Sequence, residues 1–142
     1  MSFQSKVYVV HHNLNNKYEV LVKKYASCFK WRFVPIHIVD KEKIKEDWPV
    51  IVVRSQKSRT KTDMEEALHG LNEEKRKRTI YMLCRRSSDG SDSTLLFMER
   101  VANPELLGQL VVPTPKHGVD KCGLKELQDM LKSFYTPKRI GK

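Results

Sequence analysis

The chain is poor in cysteine. Cys28, Cys84 and Cys122 are its only three in 142 residues, they stand far apart, and no two form a CxxC pair. An odd count at such spacing argues against a disulfide framework and against a structural zinc site, so buried, reduced thiols are expected. Glycine is also scarce, at six residues, and none of these sits in a Gly-rich loop of the kind whose backbone wraps a phosphate. Long apolar runs are missing: residues 49–53, PVIVV, fall far short of the roughly 20 residues of a membrane span. The start of the chain, MSFQSKVYVVHHN, has one Lys and a short apolar piece, too little for a secretory signal. A cytoplasmic protein, or else a nuclear one, is expected, with no membrane contact.

What is present suits one folded domain over residues 1–142, with 39% hydrophobic and 31% charged residues. A chain of this length buries enough surface to fold without covalent staples. The net charge is +10, divided +4, +3 and +3 among residues 1–48, 49–93 and 94–142. An excess so evenly spread favours solubility and attraction to polyanions, but draws no nucleic-acid footprint.

The hydrophobic pattern alternates between strand and helix. Residues 7–12, VYVVHH, and 33–39, FVPIHIV, read as strands, and Pro35 places the second at a sheet edge because it cannot donate to a ladder. Between them Tyr18, Leu21, Val22, Tyr25 and Phe29 recur at helical spacing after the turn-forming NLNN. Residues 41–48, KEKIKEDW, make a charged connector with room for a helical turn or two. Residues 49–54 begin the most continuous apolar stretch, a strand expected to be central. Thr62 and Glu65 have capping-box spacing, and Met64, Ala67, Leu68 and Leu71 line one face of the helix that follows, with Gly70 and Asn72 marking its end.

A mixed-charge link, EEKRKR, leads to a fourth strand, TIYMLC, over 79–84. Residues 87–93, SSDGSDS, form a loop, and 94–101 fit either a strand or a helical turn. A short apolar piece at 110–112 lies between Gly108 and Pro113. Leu124, Leu127, Leu131 and Phe134 then mark a final helix with Gly123 just before it, and 136–142 is a basic tail expected to fray.

Strands alternating with helices imply βαβ crossovers and a three-layer α/β domain around a mainly parallel sheet. The order 2-1-3-4-5 of flavodoxin-like, doubly wound proteins fits both the Pro35 edge and the apolar third strand. In that order ligands bind outside the carboxyl ends of the first and third strands. The crevice collects His12 and Asn13 from one loop and Arg54, Ser55, Lys57 and Arg59 from the other, with Arg85 and Arg86 nearby. These residues suit a phosphate or carboxylate. Asp63 at the helix entrance opposes that use. His11 and His12 are adjacent in a strand, so they point to opposite faces and make a poor metal chelate. No metal site and no cofactor is expected.

The chemistries of related architectures find no matching residues. Response-regulator receiver domains carry acidic residues after the first strand and an Asp ending the third, where this chain has His11–His12 and Arg54–Ser55. Flavodoxins carry a Ser/Thr-rich phosphate loop where HHNLNN stands, and low-molecular-weight phosphatases a Cys followed six residues later by Arg. The stretch VRSQKSRTKTDMEEALHGL with the following TIYMLC resembles small single-domain vertebrate α/β proteins with a Toll/interleukin-receptor-like (TIR-like) or flavodoxin-like fold. The likeness covers about a third of the chain and carries over no catalytic residue.

The leading expectation is a non-enzymatic interaction module, monomeric or weakly dimeric. Its partner is another protein, with loops 54–61 and 87–93 as contact candidates. The alternative is a binder of a phosphorylated small molecule or nucleic acid at the basic crevice. A third reading is an enzyme using His11 or His12 with Asp40 as its orienting group.

Overall fold

The computed structural model describes residues 5–12, 16–27, 33–55, 60–84, 105–112 and 121–135. The loop at 87–93, the piece at 94–101 and the tail at 136–142 lie outside the described residues.

Five strands form one all-parallel sheet: β1 (Ser5–His12), β2 (Phe33–Ile38), β3 (Val50–Ser55), β4 (Thr79–Cys84) and β5 (Gly108–Val112), in the order β2-β1-β3-β4-β5. Among the described residues four helices accompany it: α1 (Asn16–Ser27), α2 (Thr60–Leu68), α3 (Glu73–Arg76) and α4 (Lys121–Tyr135), besides a 3-10 turn at Lys41–Lys43. Every residue of β3 and β4 is buried, which is why both read as unbroken apolar runs: helices cover both of their faces.

The two-residue period of the strands separates the core into two layers. Val7, Val9, Ile51, Val53, Ile80 and Met82 pack with Leu21, Val22 and Tyr25 of α1 and Leu127 and Leu131 of α4. On the other face Tyr8, Val10, Val50, Val52, Tyr81 and Leu83 meet Met64, Ala67, Leu68 and Leu71, the apolar stripe of α2 and its continuation. This is the three-layer, doubly wound flavodoxin-like architecture expected from the sequence.

β2 lies at an edge, and Pro35 pairs in register with Val7. Tyr8 N donates to Pro49 O at 3.0 Å, so Tyr8 faces β3 and Val7 faces β2. The alternation turns Val34 and Ile36 toward β1 and Pro35 outward, where a missing N–H costs the ladder nothing. At the other edge β5 approaches α4 closely: a Cβ added at Gly108 would lie 2.4 Å from Met130 Sδ.

Several boundaries differ from the sequence reading. α2 begins at Thr60, so Thr62 stands inside the first turn and is not the cap that its spacing to Glu65 suggested. Gly70, at φ +92°, turns the chain out of α2, as only glycine does without strain. Asn72 does more than end a helix. Its side chain accepts from Lys75 N at 2.8 Å and caps α3, making a helical turn of part of the charged link. Gly123 lies within α4, not before it. The connector forms only the 3-10 turn at Lys41–Lys43, capped by Asp40, whose Oδ1 accepts from Glu42 N at 2.9 Å.

That connector is fastened at the amino end of the sheet. Tyr8 Oη accepts from Lys45 N and Glu46 N, and the Tyr8 and Trp48 rings lie 4.9 Å apart. Buried Arg78 donates to the carbonyls of Glu46 and Trp48 and to the Glu74 carboxylate. Amino-end charges therefore serve the fold, leaving the carboxyl edge as the place to look for a site.

Candidate strand-end site

β1 ends in two adjacent histidines, and the strand period sends them to different layers. His12 turns toward α2 and His11 toward α1, so each belongs to its own polar cluster.

On the α2 side the cluster is built on Arg54, the fifth residue of β3, which pairs in register with His12 and is only 3% exposed. Its Nε and Nη2 donate to Asp63 Oδ1 at 3.2 and 3.0 Å, and Nη2 also donates to Glu66 Oε1 at 2.6 Å. Asp63 is fully buried in the first turn of α2, while Glu66 reaches in from an exposed position three residues on, one helical turn away. Arg54 Nη1 lies 3.0 Å from His12 Nδ1. A guanidinium has no acceptor, so His12 Nδ1 accepts and its ring proton is on Nε2. One cation thus faces two carboxylates, so Arg54 itself offers no spare positive charge.

Beside this group lies Tyr81 Oη, fully buried and without a hydrogen-bond partner among the described residues. Burial, reinforced by the Asp63 carboxylate and opposed by Arg54, pushes its pKa far above the usual phenolic range. The hydroxyl therefore stays un-ionised at neutral pH. Burial likewise pushes the Cys84 thiol up to about 12, which keeps it un-ionised and unreactive.

On the α1 side His11 Nε2 and His37 Nδ1 are 2.9 Å apart, with the rings edge to face. His11 is buried and His37, on edge strand β2, is exposed. Glu19 Oε2 of α1 lies 3.9 Å from His11 Nδ1. Burial lowers the pKa of His11 first, then the neighbouring His37 and Lys23, with Glu19 opposing. His37 is lowered by burial and then by Lys23. Both imidazoles are neutral at pH 7.

The structure brings together only part of the basic rim expected from the sequence. His12 and Arg54 touch. Ser55 is buried on the face opposite Arg54 by the strand alternation. Asn13, Lys57, Arg59, Arg85 and Arg86 lie outside the described residues. Asp40 contacts neither His11 nor His12 among the described residues and caps the 3-10 turn instead. The sequence reading missed three partners. Asp63 and Glu66 share the side of α2 that faces the end of β3, and their i, i+3 spacing was the available signal. His37 was legible only once β2 was placed beside β1, where its register opposite Val9 sets it diagonally next to His11.

Among the described residues no three His, Cys, Asp or Glu side chains converge as a metal cage, and no helix is long and apolar enough to cross a membrane. The topology defines the class, a parallel doubly wound α/β domain of flavodoxin-like order. Beyond that class, comparison with protein-family models, with curated proteins and with solved structures gives no match.

Proposed function

We propose that this protein is a non-catalytic, cytoplasmic α/β module that works by binding another protein. The supporting observation is the commitment of Arg54, Asp63, Glu66 and His12 to one another. Arg54, the natural anion anchor of the crevice, is buried against Asp63 and Glu66, and His12 accepts a hydrogen bond from it. A phosphate reader or an acid–base enzyme needs those groups free to meet a ligand. Recognition then falls to the surface, where the loop carrying Lys57 and Arg59 adjoins the crevice in sequence.

The test combines capture and reconstitution. A partner recovered from cytosol, rebuilt from purified components and lost on Lys57→Glu with Arg59→Glu, supports the proposal. Arg54 is unsuitable for charge reversal because its loss damages the fold. A chain that gains thermal stability from a nucleotide or sugar phosphate, and loses that gain in the same variant, contradicts it.

A further inference from the structure

We propose that His11 and His37 form a two-imidazole site for a divalent first-row transition-metal ion, of the Cu2+ or Ni2+ type. Three features of the α1-side cluster lead there, none used by the proposed protein-binding role. First, two ring nitrogens from neighbouring parallel strands converge to 2.9 Å. Two nitrogens bound at right angles to one ion by bonds of about 2.0 Å are separated by about 2.8 Å, against about 3.3 Å in a tetrahedron. The hydrogen-bonded spacing is already close to the right-angled value, so a small shift of the exposed His37 ring would bring both nitrogens onto one ion.

Second, the Glu19 carboxylate lies behind the buried ring, 3.9 Å from His11 Nδ1. At that distance it makes no direct hydrogen bond, but its negative charge favours the ring proton on Nδ1 and leaves Nε2 as a lone pair for a metal ion. In the metal-free pair, His37 Nδ1–H then donates to His11 Nε2. On metal binding that proton moves through solvent to His37 Nε2, which has no hydrogen-bond partner among the described residues. No net charge leaves the rings and nothing is oxidised or reduced.

Third, His37 is exposed on an edge strand, which gives an ion a path to the buried nitrogen. Among the described residues the charged groups facing the pair are Glu19, which favours a cation, and Lys23, which opposes it. Two protein ligands leave the remaining positions to water, so the site is open and of moderate affinity.

The test is a titration of the untagged chain with Cu2+ and with Ni2+, followed by calorimetry, by the Cu2+ visible absorption and by thermal melting. The expected result is one site whose affinity falls at least about tenfold in His37→Ala and in His11→Gln, and by about tenfold in Glu19→Gln. His69→Ala and His117→Ala are expected to leave it intact. Metal raises the melting temperature of the parent chain but not of His37→Ala, whose exposed side chain makes it the safer variant for folding. Binding that persists in His37→Ala, that follows His69 or His117, or that is absent up to millimolar metal overturns the proposal and leaves a hydrogen-bonded histidine pair.

Discussion

Arg54 and Asp63 stand nine residues apart in sequence and meet beneath the first turn of α2, with Nη2 and Oδ1 3.0 Å apart and both side chains out of solvent. The pair ties the end of central strand β3 to the helix that covers it. Removing Asp63 leaves the buried guanidinium with only the half-exposed Glu66 as its carboxylate, and losing one member of a buried pair costs about 3–5 kcal/mol. Asp63→Ala is therefore expected to lower the urea midpoint severely. Glu66→Gln removes a carboxylate that is 57% exposed and is expected to cost no more than about 1 kcal/mol. Equal losses in the two variants would show that burial does not govern this cluster.

Tyr81 poses the opposite case. Its hydroxyl is buried without a partner, so the folded protein already bears the cost of desolvating it. Tyr81→Phe keeps the ring and removes that cost, and is expected to be neutral or to stabilise by about 1 kcal/mol. Equilibrium unfolding measures this. A clear loss of stability would mean that the hydroxyl has a bonding partner in solution.

The histidine pair sets an acid limit. Both folded-state pKa values lie below the ordinary 6.5, so as pH falls the unfolded chain takes up protons before the folded one. Stability from the neutral rings is fully present above pH 6.5 and is lost as pH drops through the lowered folded values. With a chelator present to keep the rings metal-free, melting temperature is expected to fall more steeply between pH 7 and 5 in the parent chain than in His11→Gln with His37→Gln. Parallel pH profiles would show that the rings contribute nothing to acid sensitivity.

Gly108 marks how closely β5 and α4 approach. A methyl group there would lie 2.4 Å from Met130 Sδ, the flexible end of a thioether side chain. Gly108→Ala is expected to cost about 1–3 kcal/mol, with much of the loss restored by Met130→Ala. Thermal unfolding of the two single variants and the double variant measures the coupling. Loss that Met130→Ala leaves untouched would place the clash elsewhere.

The sequence disclosed the layers better than it disclosed the site. β3 and β4 were legible because strands buried on both faces have no polar alternation, and α2 because Met64, Ala67, Leu68 and Leu71 repeat at helical spacing. Pro35 marked the edge. The start of α2 at Thr60 was hidden by a capping-box pattern at Thr62, and α3 by a run of charges that gives no apolar periodicity. Strand alternation did separate His11 from His12. It did not say which side chains of other elements each would meet, because Arg54 with Asp63 and His11 with His37 are tertiary pairs. A basic residue at a strand end looks the same in sequence whether it faces a ligand or a buried carboxylate.

The central claim is that Arg54 is an internal tie and not a ligand anchor, and a double-mutant cycle on Arg54 and Asp63 tests it most directly. Arg54→Met and Asp63→Leu are each expected to destabilise by several kcal/mol, and the double variant to recover most of the loss, since an apolar pair can replace a buried ion pair. Additive losses, or an Arg54→Met variant that unfolds like the parent chain, would contradict the account.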